Sequence, residues 1–215
     1  MRQFGLPEIW ILLAALRWTV LLAALAFVGG GVAGLLVTLA RIARPWPLRA
    51  FATAYIKVLQ GVPLLILLFL VFFGANIVGV RTDAWTAAAI AYALYGSAFL
   101  AEIWRGCVQA VPLGQWDAAV ALGLRRVRQL RLVIAPQALR IAVAPSVGFL
   151  VQLVKSTSLA SVIGFMELTK AAQNVNNVTF APFAVFGTVS VLYFAVCFPL
   201  SRLGARLERR LARPY

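Results

Sequence analysis

The chain has 215 residues, 63% of them hydrophobic and only 12% charged, with a net charge of +14 and no histidine. With a mean hydropathy of +0.93, that composition excludes an ordinary soluble domain. Without histidine, and with Cys107 and Cys197 on no metal-ligand spacing, the chain offers no Ser/His/Asp or Cys/His chemistry, no metal site and no disulfide framework.

Charges divide the sequence into apolar stretches. The first, Trp18 to Ala40, lies between Arg17 and Arg41. Before it, Ile9 to Leu16 is apolar but lacks a small-residue cleavage site, so it does not read as a cleaved signal. The expectation is that Pro7 to Leu16 lies along the membrane surface, with Trp10 and Trp18 as anchors. Gly30 and Gly34 form a small-xxx-small pair suited to close helix packing. Three further stretches follow, Val58 to Val80, Ala84 to Ala101 and Ala171 to Ser201, and a shorter one, Ile141 to Val154, ends at Lys155. About 20 apolar residues at 1.5 Å each span the hydrocarbon core. The reading is an all-α polytopic membrane protein, residues 1–215 forming a single domain with five transmembrane helices.

Arginine placement orients it. Arg41, Arg44 and Arg49 follow the first span, and Arg125, Arg126, Arg128, Arg131 and Arg140 fall between the third and fourth. Arg202, Arg206, Arg209, Arg210 and Arg213 follow the fifth. The opposite loops carry little: Arg2 with Glu8, Arg81 with Asp83, and Lys170 with Glu167. Cytoplasmic loops collect Lys and Arg, which predicts the N-terminus outside and the C-terminus inside. A nucleic-acid surface would need the arginines on one soluble face.

The loop from Arg105 to Arg140 is too polar to span. Pro112 and Gly114 break the chain, which places Asp117 in the first turn of a short helix, where a carboxylate offsets the positive dipole end. Leu113, Trp116 and Val120 give it an apolar stripe, and Gly123 is placed to end it in a left-handed conformation. A second short helix is expected from Leu124, closed by Pro136 before the fourth span. On the residues alone, two short helices at a sharp turn fit either a docking element for a partner or an interfacial hairpin whose arginines hold anionic head groups. Glu102 and Arg105, one turn apart, read as a structural pair at the inner interface.

Arg140 to Lys155 covers only about 23 Å as a helix, short of the ~30 Å core. Either Lys155 faces protein or water within the membrane zone, or the helix breaks near Lys155-Ser156-Thr157-Ser158. Gln152, one turn before Ser156, shares its face. Short, interrupted segments mark binding sites in transporters, which makes Gln152, Lys155 and Ser156 candidates for the substrate pathway. The alternative is that Lys155 snorkels to the outer interface and the hydroxyl run caps the next helix.

The run DAAVALGLRRVRQLRLVIAPQALR, Asp117 to Arg140, closely resembles the EAA loop of ATP-binding-cassette (ABC) importer permeases. Asp117, Ala118, Ala119, Gly123 and Pro136 match that motif one by one. Asp stands for the usual Glu, and Ala135 for the usual Leu before the proline. GVPLLILLFLVFFG from Gly61, AEIWRGCVQAVPLGQWDAA from Ala101, LVKSTSLASVIGFMELT from Leu153 and RLERRL from Arg206 extend the resemblance to the polar amino-acid uptake branch. Departures at Gln60-Gly61-Val62-Pro63, where members often carry RGTP, and at Ser156, where an acid is common, fall near the expected permeation path. Substrate identity is therefore not carried over.

The resemblance implies a type I importer permease of the bacterial inner membrane, with cytoplasmic coupling helices at about 105–140. It also implies pairing with a second copy or a sister permease, a cytoplasmic ATPase dimer and an extracytoplasmic amino-acid-binding protein. No glycine-rich segment carries the Lys and Ser/Thr of a phosphate-binding loop, so the chain is expected to hold no cofactor and to be no enzyme, with ATP and Mg bound by the ATPase subunits. An ion-coupled secondary transporter would need intramembrane acids or histidines that the spans scarcely offer. A structural membrane subunit of another complex is the remaining alternative.

Overall fold

The computed structural model describes residues 3–211, so Arg2 and Arg213 lie outside the described residues. Helix α1 runs unbroken from Leu6 to Ile42. Pro7 opens it, where a missing N–H costs nothing, and Glu8 reaches back to accept a hydrogen bond from the Gly5 amide at 3.0 Å. No separate surface helix ends at Arg17. Nothing between Pro7 and Leu16 breaks the helix, and Leu12 and Ala15 are buried against Leu168, Ala171 and Val185.

The stretch from Val58 to Val80 is not one straight span. It is divided between α2 (Trp46–Gly61) and α3 (Leu64–Ile77), which meet at 101°. Pro63 is the cause, because it forces the preceding Val62 into extended backbone, here φ −104°, ψ 129°. Helix α4 (Ala84–Gln109) is capped by Asp83, whose side chain accepts from the Thr86 amide at 3.1 Å. Hydrogen bonds from the Thr86 side chain and then its amide hold the Asp83 carboxyl below the usual carboxylate range.

Two short helices follow, α5 (Leu113–Ala121) and the single turn α6 (Arg126–Arg128). A π-helical turn, Gln129–Ile134, then leads directly into α7 (Ala135–Ser156). Pro136 therefore does not terminate a helix; it stands in the first turn of α7, where its absent N–H is tolerated. The wider π turn in front of it keeps the path helical across a site where the α ladder is interrupted. A 3-10 segment, Thr157–Ile163, continues α7 and ends at Gly164 in the left-handed region.

The run from Ala171 to Ser201 is likewise divided. Residues up to Thr179 belong to the amphipathic α8 (Leu168–Thr179), and Phe180 turns the chain at φ +51° before α9 (Pro182–Leu211). Among the described residues, four helical segments are long and apolar enough to cross a membrane, at 6–42, 84–109, 126–163 and 182–211; the bent α2–α3 pair makes a fifth if it counts as one span. Among the described residues there is no strand.

The main core joins α1, α3, α4 and α7, with Leu22, Leu68, Tyr92, Leu100 and Leu153 fully buried. The α1–α4 contact is backbone to backbone. A Cβ on Gly30 would stand 3.0 Å from Gly96, and one on Gly34 only 2.9 Å from the Ser97 carbonyl. The small-xxx-small pair thus does what its spacing predicts: it lets two helices approach until packing alone holds them.

Candidate functional site

The arginine-rich end of the bundle is built around α5. Its end is a Schellman turn: the Gly123 amide donates to Val120 O at 2.9 Å and the Leu124 amide to Ala119 O at 3.2 Å. Gly123 sits at φ +70°, the left-handed conformation expected there. Ala119 is buried, whereas Asp117, Ala118 and Pro136 are exposed. Asp117 is the fifth residue of α5, not part of its first turn. The helix begins at Leu113, one residue after Pro112, so its dipole end lies a full turn earlier.

The stripe on α5 divides by contact. Trp116 packs against Val111, Ile134 and Ala138, while Leu113 and Val120 are 79% and 61% exposed. Gln137 on α7 donates to Gln115 at 3.2 Å, and Gln129 to the Leu124 carbonyl at 2.6 Å. The reversal is therefore pinned from both sides while one apolar flank of α5 stays open. Beside it, Arg105 pairs with Glu102 and also donates to Gln109, forming the structural pair expected from the sequence.

Along α7, Ile141, Pro145, Gly148, Gln152 and Lys155 are all exposed. Their spacing of four, three, four, three puts them in one line along the helix. Gln152 and Lys155 share that open face. Ser156 is half-buried at its edge, and its carbonyl accepts the Tyr92 hydroxyl. The hydroxyl run after Lys155 caps no following helix: Thr157, Ser158 and Ser161 each donate to a carbonyl three residues back, at 2.7, 2.9 and 2.7 Å. The helix does not break there; it tightens into the 3-10 segment.

At the opposite end Glu167, read from the sequence as one charge of a sparse loop, is fully buried. Its carboxylate accepts from the Tyr193 hydroxyl at 3.1 Å, the Thr19 hydroxyl at 3.4 Å and the Lys170 amide at 2.8 Å. Thr19 in turn accepts from the Leu168 amide at 3.1 Å. One carboxylate thus ties α1, α8 and α9 together. Burial pushes its carboxyl above the usual range, against the hydrogen bonds that pull it down. Among the described residues no cluster of His, Cys, Asp or Glu is arranged to hold a metal ion. Cys107 and Cys197 are buried free thiols.

Residues 30–213 match the family described as binding-protein-dependent transport system inner membrane component. The chain belongs to this family. It is a permease subunit of an ABC importer, and the match takes in both α5 and the open face of α7. Among relatives, the chain is 35% identical over 195 residues to the probable amino-acid ABC transporter permease protein YckA of Bacillus subtilis (strain 168), covering 91% of this chain and 86% of the relative. It is 33% identical over 215 residues to the glutamine transport system permease protein GlnP of Escherichia coli (strain K12), covering 97% and 98%. Among solved structures, a chain of an amino acid ABC transporter crystallised with histidines superposes with a TM-score of 0.89 at 34% identity, covering 93% of this chain and 94% of that one. An importer permease of this family works with ATPase and substrate-binding partners.

Proposed function

We propose that this permease carries a polar or charged amino acid through the bacterial inner membrane, as one of two permease chains around a shared path. The reading rests above all on the end-to-end likeness to the amino acid ABC transporter chain. An extracytoplasmic binding protein delivers the substrate, and two cytoplasmic ATPase subunits hold ATP and Mg. The permease itself performs no chemistry and holds no cofactor.

In this reading α5 is the coupling helix. Its flank at Leu113 and Val120 is left exposed by the described residues, and Asp117, Ala118, Ala119, Gly123 and Pro136 carry the motif that docks into the ATPase. The pinned Schellman turn makes α5 a rigid lever, so closure of the ATPase dimer moves α7 with it and switches the path between its two openings. The open line on α7 faces the partner permease. A lysine and a glutamine on a membrane helix favour protein or water over lipid, which supports a reading in which Gln152 and Lys155, with Ser156 beside them, line the path. The arginine-rich end faces the cytoplasm and the α8 end faces outside.

The test is to purify the assembled complex and measure ATP hydrolysis with its binding protein across a panel of amino acids. Stimulation by one or a few polar amino acids supports the reading. A complex that purifies without an ATPase, or that no amino acid stimulates, overturns it.

A further inference from the structure

At the arginine-rich end, beside the coupling helix, lies a groove of about 1080 Å³ between α1, α4 and the α6–α7 segment. Its walls are apolar side chains, among them Leu35, Leu39, Leu130, Ile134 and Leu139. Its lining also includes Arg44, Arg125, Arg126 and Arg131, and no Asp or Glu. A second hollow of about 450 Å³ adjoins it at Ile42, Val108, Arg126 and Leu130 and adds Arg41, Arg49 and Arg105. Glu102, the nearby acid, is bonded by Arg105. The Nε atom of Arg41 is shielded from water and has no hydrogen-bond partner among the described residues.

We propose that this groove is a binding site for an anionic phospholipid, with the phosphate among Arg44, Arg125, Arg126 and Arg131 and the acyl chains along Leu35, Leu39 and Leu139. The depth of the groove argues for a lipid. Leu35 lies seven residues, about 10 Å, before the end of α1 at Ile42, and Arg44 lies two residues beyond that end. The site therefore straddles the boundary between head groups and hydrocarbon, cationic at one level and apolar below it. A molecule with a phosphate at one end and hydrocarbon at the other matches both levels, and basic pockets between membrane helices hold such head groups.

Two other occupants fit less well. A soluble ATPase subunit does not reach down to Leu35 and Ala142 at the groove's floor. A second copy of this chain carries a net charge of +14 and would bring its own arginine-rich end against these arginines, where Glu102, Asp117 and Glu208 are too few to neutralise them. The site depends on the chain's being in a membrane, not on which substrate it carries.

The experiment is native mass spectrometry of the detergent-purified permease–ATPase complex, offered phosphatidylglycerol or phosphatidylcholine of matched acyl chains. Retention of phosphatidylglycerol over phosphatidylcholine by about tenfold or more is expected from several arginines at a phosphate. Arg125→Ala with Arg126→Ala and Arg131→Ala should abolish that preference, as should Leu39→Trp, which fills the groove from its apolar side. Arg209→Ala with Arg210→Ala, on the end of α9 outside the groove, should leave it intact. Equal retention of the two lipids by the unaltered complex overturns the proposal without recourse to any variant. So does a preference that survives the triple substitution, or a cysteine at Leu39 that cross-links to the ATPase or to the partner permease.

Discussion

Gly34 and Ser97 meet so closely that a β-carbon on the glycine would stand 2.9 Å from the serine's backbone oxygen. The obstacle is backbone on α4, which cannot swing aside as a long side chain would. Gly34→Leu should lower stability by about 1–3 kcal/mol, the usual cost of overpacking. Gly106→Ala, on α4 in open space, should leave stability unchanged or raise it by about 0.5–1 kcal/mol. Thermal unfolding of the two variants in detergent separates them, and equal midpoints would contradict the glycine seam.

Buried Glu167 should make stability depend on pH. Its native carboxyl holds a proton more tightly than the unfolded one does. Its contribution to stability is therefore most favourable below the usual carboxylate value and falls as pH rises through the raised native value. Glu167→Gln keeps most of the hydrogen bonds, since the Tyr193 and Thr19 hydroxyls can turn to accept. At neutral pH that variant should match or exceed the wild type, and its advantage should vanish on acidification. Glu167→Ala should lose about 1–3 kcal/mol by leaving buried donors unmet. Melting curves of the three proteins across pH give the answer.

The proposed coupling role of α5 can be tested at Gly123, which closes the helix in the left-handed conformation. A non-glycine residue at φ +70° costs roughly 1–2 kcal/mol, and if α5 docks on the ATPase, bulk there would also obstruct that contact. Gly123→Asp should leave membrane insertion intact. ATPase subunits should wash off the purified complex, or ATP hydrolysis should continue without uptake. Normal association together with normal uptake would remove the coupling role from α5.

Lys155→Ala should change transport without changing assembly, because Lys155 faces away from its own chain. Uptake rate, or the order of preference among amino acids, is the quantity to follow, with basal ATPase as the control. Transport unaltered across the panel would return Lys155 to a snorkelling role at the interface.

Orientation is open to chemical labelling. A membrane-impermeant thiol reagent on intact cells should modify a cysteine placed at the exposed Asn177 of α8. It should reach one at Arg128 only after lysis. The reverse pattern would invert the topology.

Much of this architecture was legible because charges bracket the spans and cannot be buried cheaply. Gly30, Gly34 and Gly123 were legible because each meets a geometric demand that only a missing side chain satisfies. The bend at Val62-Pro63 is hidden from hydropathy, which does not change across it; only the proline marks it. The division at Phe180 is marked only by Pro182, which opens α9 where its missing N–H is tolerated. Glu167 looked like a solvated loop charge because Thr19 and Tyr193, which bury and bond it, lie 148 and 26 residues away in sequence. The open line on α7 needed the three-dimensional neighbours of each residue before it separated from the apolar background.

The glycine seam joins two helices of unequal apolar length. Between Arg17 and Arg41 α1 offers 23 neutral residues, about 35 Å, whereas α4 offers 18 between Asp83 and Glu102, about 27 Å. Around a hydrocarbon slab of about 30 Å the first is too long and the second too short. Locked together, they cannot tilt separately to suit the slab. A thicker bilayer leaves α4 short and draws Glu102 toward the hydrocarbon, and a thinner one leaves apolar turns of α1 in water. Hydrophobic mismatch of opposite sign thus falls on two neighbours held together by one glycine seam.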